Sequence, residues 1–171
     1  MTYLRTIAII VITLQAGQGT AADIFELADD TTIVVSADEA WEDTEQDILY
    51  FHGHFEIRTP SWRLSANEAT VYGNLDDPQR IVADGVVDGP PVYFFFLGSG
   101  LEDSVETAGE GQHLEYEQEL GLLTLSGKAK LTSGTRVMQS SKIEYDLEKQ
   151  QLKAGGAEGV HVTVNPDDVG N

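Results

Sequence analysis

Ile48-Leu49-Tyr50-Phe51-His52-Gly53-His54-Phe55-Glu56-Ile57-Arg58 decides the fold of this chain, because its character changes at every second residue. Leu49, Phe51, Gly53, Phe55 and Ile57 share one side, and Tyr50, His52, His54, Glu56 and Arg58 the other. That is the period of a strand with one buried face. A glycine in mid-strand weakens it, so Gly53 marks a bend or bulge where the strand curves around a narrow interior. The pattern returns 74 positions later, with Leu123, Leu125, Gly127, Ala129 and Leu131 set against Thr124, Ser126, Lys128 and Lys130. Each run buries one face, as antiparallel sheets do.

Outward from these hairpins the repetition continues on a smaller scale. Ser36-Ala37-Asp38-Glu39-Ala40 recurs 29 positions later as Ser65-Ala66-Asn67-Glu68-Ala69, and a looser corner at Gly111-Gln112-His113-Leu114 recurs at Ser140-Ser141-Lys142-Ile143. Ala37 and Ala40, or Ala66 and Ala69, can both face inward only if the strand kinks between them, which describes a sheet folding over on itself. Repeats of this size imply stacked hairpins around one continuous apolar interior. Turn signals fall at Gly73-Asn74, Asp77-Pro78, Asp88-Gly89-Pro90-Pro91, Gly98-Ser99-Gly100, Ser133-Gly134 and Gly155-Gly156. Val92-Tyr93-Phe94-Phe95-Phe96-Leu97 is apolar on both faces and reads as a central strand covered on two sides, the alternative being an edge that meets a partner. Residues Asn165 to Asn171 read as a frayed end.

At the other end, Arg5 precedes the apolar run Ile7 to Leu14, and Gly19-Thr20-Ala21-Ala22 follows before Asp23. This predicts an export signal over 1–22 and a single domain over 23–171, with an uncleaved inner-membrane anchor as the alternative. The apolar run falls short of the roughly 20 residues a membrane helix needs. The chain has no cysteine, so packing and strand pairing must hold an exported fold without disulfides. The 29 acids against 10 bases give a net charge of −19, which repels nucleic acid and anionic membrane surfaces and suits a salty medium.

Nothing in the chain reads as an enzyme. Gly98-Ser99-Gly100 lacks the spacing of a nucleophile elbow and follows a turn, and there is no nucleotide-binding loop. His52 and His54 share a face near Glu56 and raise the idea of a metal, but they belong to the polar side and read as solvated, so no metal or cofactor is expected.

Taken in order, several segments together resemble the periplasmic lipopolysaccharide-transport proteins of the LptA type, the OstA-like family. They are Ser36-Ala37-Asp38-Glu39-Ala40 followed by Leu49 to Ile57, Gly89-Pro90-Pro91-Val92-Tyr93-Phe94, Glu115-Tyr116 to Gly127, and Ile143-Glu144-Tyr145-Asp146 with Ala154-Gly155-Gly156. The resemblance runs from Thr32 to Val164. It implies an all-β, open, V-shaped antiparallel jelly-roll of about sixteen short strands, whose slot shelters the acyl chains of lipopolysaccharide. It also implies a periplasmic location and end-to-end strand pairing with other copies, so that the stack bridges an inner-membrane transporter complex and an outer-membrane translocon. The expected lining is Val35, Leu49, Phe51, Phe55, Ile57, Leu64, Phe94, Leu123, Leu125 and Leu131, each of which reads equally well as core packing. A membrane-tethered roll acting one step earlier in the same transport line and an extracellular structural β-repeat module are the alternatives.

Overall fold

The computed structural model describes residues 10–12, 32–97, 106–147, 149 and 151–164, and every regular element among them is a strand. In chain order these are β1 (Ile10–Ile12), β2 (Ile33–Ser36), β3 (Glu39–Asp43), β4 (Ile48–Arg58), β5 (Trp62–Gly73) and β6 (Pro78–Asp84). They continue as β7 (Val92–Leu97), β8 (Glu106–Gly111), β9 (His113–Glu117), β10 (Leu122–Ser133), β11 (Arg136–Asp146) and β12 (Gln151–Val164). Except for residues 10–12, the expected signal lies outside the described residues, as do Gly98-Ser99-Gly100 and the tail from Asn165.

The twelve strands pair antiparallel in one sheet that is bent into two halves. One half runs β3-β4-β5-β6-β9-β10-β11-β12. The other runs β2-β4-β5-β7-β8-β10-β11-β12, with β1 added outside β2. β4, β5, β10, β11 and β12 are long enough to serve both halves, so one half has eight strands and the other nine with β1, and the sixteen short strands expected become twelve.

The bend is made where the repeated glycines stand. On β4 the register slips between His52 and Phe55, and on β10 between Ser126 and Ala129, one extra residue in each case. Gly53 (φ 73°) and His54 (φ 48°) are left-handed there, as are Gly127 (φ 72°) and Lys128 (φ 56°). A bulge of this kind bends its strand and increases the local twist. Each is pinned by the preceding corner: the Asp38 N–H donates to the Gly53 carbonyl at 2.7 Å, and the Gln112 N–H is shared by the Ser126 and Gly127 carbonyls at 2.9 and 3.0 Å. Asp38 and Gln112 are themselves 74 positions apart, so the sequence repeat is a repeat of corners.

Four details depart from the sequence reading. Gly155 and Gly156, expected to make a turn, lie inside β12, where extra residues are accommodated between the pairs Ser140–Val160 and Lys142–Gly155. Ala40 is exposed on the edge strand β3, whereas Ala37, Ala66 and Ala69 pack in or against the core; Gly127, expected inside, is turned out by its own bulge. β7 is central, between β5 and β8, but covered on one side: Phe94 and Phe96 are buried while Tyr93 and Leu97 are exposed.

Candidate functional site

The interior is built row by row across the strands. In one half, Phe51, Ala69, Ala83, Leu114, Leu125 and Ile143 stand opposite one another in register. In the other, the row runs Val35, Ile57, Leu64, Phe94, Gly109, Leu131 and Met138. Gly109 is the one gap in that row, and the Phe94 ring lies over it, where a Cβ would overlap the ring. Burying these side chains removes apolar area worth about 25 cal/mol per Å². These rows, one from each half, make up the core of the fold.

Nine of the ten expected lining residues, Val35, Phe51, Phe55, Ile57, Leu64, Phe94, Leu123, Leu125 and Leu131, are buried, and Leu49 packs against them. Sequence reasoning passed over Trp62, Phe96, Tyr116 and Tyr145. Tyr116 is 1 % exposed, and its place opposite Leu123 repeats the alternation that found Leu123. Phe96 stacks on Phe94 (centroids 5.9 Å) and also on Tyr145 of the opposite half (5.8 Å), so one aromatic contact crosses the slot. Burial pushes the Tyr145 phenol pKa above its ordinary value. A small apolar recess, partly open to solvent, is lined by Trp62, Arg63, Leu64, Phe94, Phe95, Phe96, Leu114 and Leu123.

At the β12 end the interior is not closed. Val160, Val162 and Val164 are 43 %, 56 % and 59 % exposed although they continue the inner rows of Ser140, Met138 and Arg136. Among the described residues β12 pairs only with β11, and at the opposite end β3 pairs only with β4.

The outer face is polar and ion-paired. His52 and His54, expected side by side, turn to different carboxylates: His52 Nδ1 lies 3.0 Å from Glu68, and His54, re-aimed by the bulge, 2.8 Å from Asp38. His113 meets Asp84 at 2.7 Å. The Arg80 guanidinium bonds Glu115, which holds its pKa above the ordinary value, and lies over the Tyr72 ring. The hydrogen bond from Lys142 holds the Glu144 carboxyl below its ordinary range.

A bent β-roll with a continuous apolar interior, polar outside and open at its terminal edges, is the architecture of a carrier of apolar chains. The chain belongs to the LptA/LptD N-terminal domain family of LPS transport proteins, whose model matches residues 34–151. It is 26 % identical over 131 residues to the lipopolysaccharide export system protein LptH of Pseudomonas aeruginosa, a match covering 77 % of this chain and 72 % of that protein. The fold is similar to the crystal structure of LptH, the LptA-homologous periplasmic component of the lipopolysaccharide transport device of that organism. That likeness has a TM-score of 0.66 at 22 % identity and covers 78 % of this chain and 95 % of the other.

Proposed function

We propose that this protein carries lipopolysaccharide across the periplasm with the acyl chains held between the two halves of the roll, and that it bridges inner- and outer-membrane machinery by end-to-end strand pairing. The observation that carries the reading is the coincidence of core and slot: rows of large apolar side chains from both halves converge on one interior that runs out, uncovered, at Val160, Val162 and Val164. Exposing an acyl chain of about twelve carbons to water costs on the order of 10 kcal/mol, at about 0.8 kcal/mol per methylene. A one-sided apolar slot removes most of that cost without specific bonds, so a chain can slide along it. Because the interior is filled by its own side chains, loading must part the halves and open the Phe96–Tyr145 contact that joins them.

The edges support the bridging part. β1, which pairs with β2, comes from the expected signal, so removal of 1–22 frees a β2 edge already shaped to receive a strand. β12 offers a free edge at the other end, and strand addition uses both. The test is photo-cross-linking from Phe51, Phe55 and Leu125 in cells making lipopolysaccharide. Adducts are expected at all three and not at Tyr50 or His54, whose side chains belong to the outer face; the reverse pattern would refute this register.

A further inference from the structure

Cations are scarce in this chain, and almost all of those described are spoken for. Arg58, Arg63, Arg80, Lys130, Lys142, Lys149 and Lys153 are ion-paired with carboxylates. Lys128 and Arg136 have no such partner among the described residues. Lys128 sits on the outer bulge, whereas Arg136 belongs to the inner face. Its place follows from register: Arg136 is directly opposite Ser133, Ser133 is opposite Thr107, and Thr107 is opposite Phe96. Cross-strand partners share a face. Thr107 and Phe96 are both buried, so that face is the interior. Trp62, Phe96, Thr107, Ser133, Arg136 and Val164 thus form the last inner row of their half, at the strand ends where the slot meets solvent.

We propose that Arg136, with the Ser133 hydroxyl that Thr107 orients, is a subsite for the phosphate of an amphiphile whose acyl chain lies in the slot; the proposal rests on the carrier reading above. The Thr107 hydroxyl donates to Ser133 Oγ at 3.1 Å, which leaves the Ser133 hydroxyl hydrogen available to another acceptor. A guanidinium presents a planar fork that matches two phosphate oxygens at once, which a lysine at this position would not. Elsewhere the net charge of −19 opposes an anion, so one unpaired arginine at the edge of an apolar wall gives the head group a single favoured position while the acyl chain remains free to slide. The two-residue turn Gly134-Thr135, with Gly134 left-handed at φ 54°, fixes Arg136 against Ser133.

The experiment uses two probes with the same tail, dodecyl phosphate and dodecyl maltoside, below micelle formation. Binding is read from the emission of buried Trp62 in a Trp41→Phe background, since Trp41 is exposed. Arg136→Gln is expected to weaken dodecyl phosphate by about tenfold, the order expected for a charge-assisted hydrogen bond, and to leave dodecyl maltoside unchanged. Arg136→Lys should fall between. Equal weakening of both probes, or of neither, overturns the subsite while the slot stands. If the unsubstituted protein binds neither, the carrier reading fails and the subsite falls with it. Circular dichroism confirms that the variant is folded, as expected for an exposed side chain.

Discussion

At the bend, four residues carry a conformation that ordinary side chains avoid. Gly53 and Gly127 adopt left-handed φ at little cost, whereas a Cβ there would add about 1–2 kcal/mol of backbone strain. It would also come within 2.8 Å of Asp38 Cβ at the first site and of Gln112 Cβ at the second. Gly53→Ala and Gly127→Ala are therefore each expected to lower unfolding free energy by about 1–3 kcal/mol, read as a fall in the urea midpoint. Lys128 already bears that strain with a side chain and has no ion pair among the described residues, so Lys128→Gly should be neutral or stabilising by up to about 1 kcal/mol in the same titration. A destabilising Lys128→Gly would place the strain elsewhere. The glycines were legible in the sequence as interruptions of an alternating run; the left-handed turn of His54 and Lys128 was not, because neither residue type signals it.

Among the elements, β4 and β10 were the most legible, since period-two alternation over 11 and 12 residues leaves little choice of face. The Gly155-Gly156 pair misled because a glycine pair signals a turn and a bulge alike; continued pairing with β11 on both sides makes it a bulge. The facing of Arg136 was hidden for a related reason: which side a residue takes beyond a bulge depends on how many residues the bulge absorbs. Contact between elements on opposite halves was likewise invisible, and the Phe96–Tyr145 stack joins β7 to β11 across the slot. Burial raises the folded Tyr145 pKa above the unfolded value near 10. The folded state then keeps its proton where the unfolded state has begun to lose it. This contribution to stability is complete below about pH 10 and is lost as pH rises through the folded value. Tyr145→Phe keeps the ring and removes the proton, so the fall in urea midpoint between about pH 8 and about pH 11 should be smaller in the variant than in the parent. An equal fall would mean that Tyr145 stays solvated in the folded state.

For the molecule as a whole, net charge and open edges pull in opposite directions. Each copy carries −19, so bringing two together is opposed over the Debye length, about 10 Å at 0.1 M salt and about 3 Å at 1 M. The edges themselves favour contact. β12 shows Val160, Val162 and Val164 together with Lys153, while β3 shows Glu39, Glu42 and Asp43, with Glu42 opposite Leu49 on the inner face. A β12 edge meeting the β2–β3 edge of the next copy would cover the valines and continue the apolar rows from one interior into the next. Two acidic β3 edges would repel, so such a join would be directional and would leave an end for a different partner. Sedimentation velocity on the chain without 1–22 should therefore show longer species as salt rises, because screening weakens the long-range repulsion while burial and backbone pairing persist. Val162→Glu, which puts a charge into the apolar part of the join at a position already 56 % exposed, should hold the protein monomeric at every salt concentration with little change in its own stability. Species that shorten with added salt would instead mean that ion pairs hold the copies together, and the continuous apolar path between them would lose its basis.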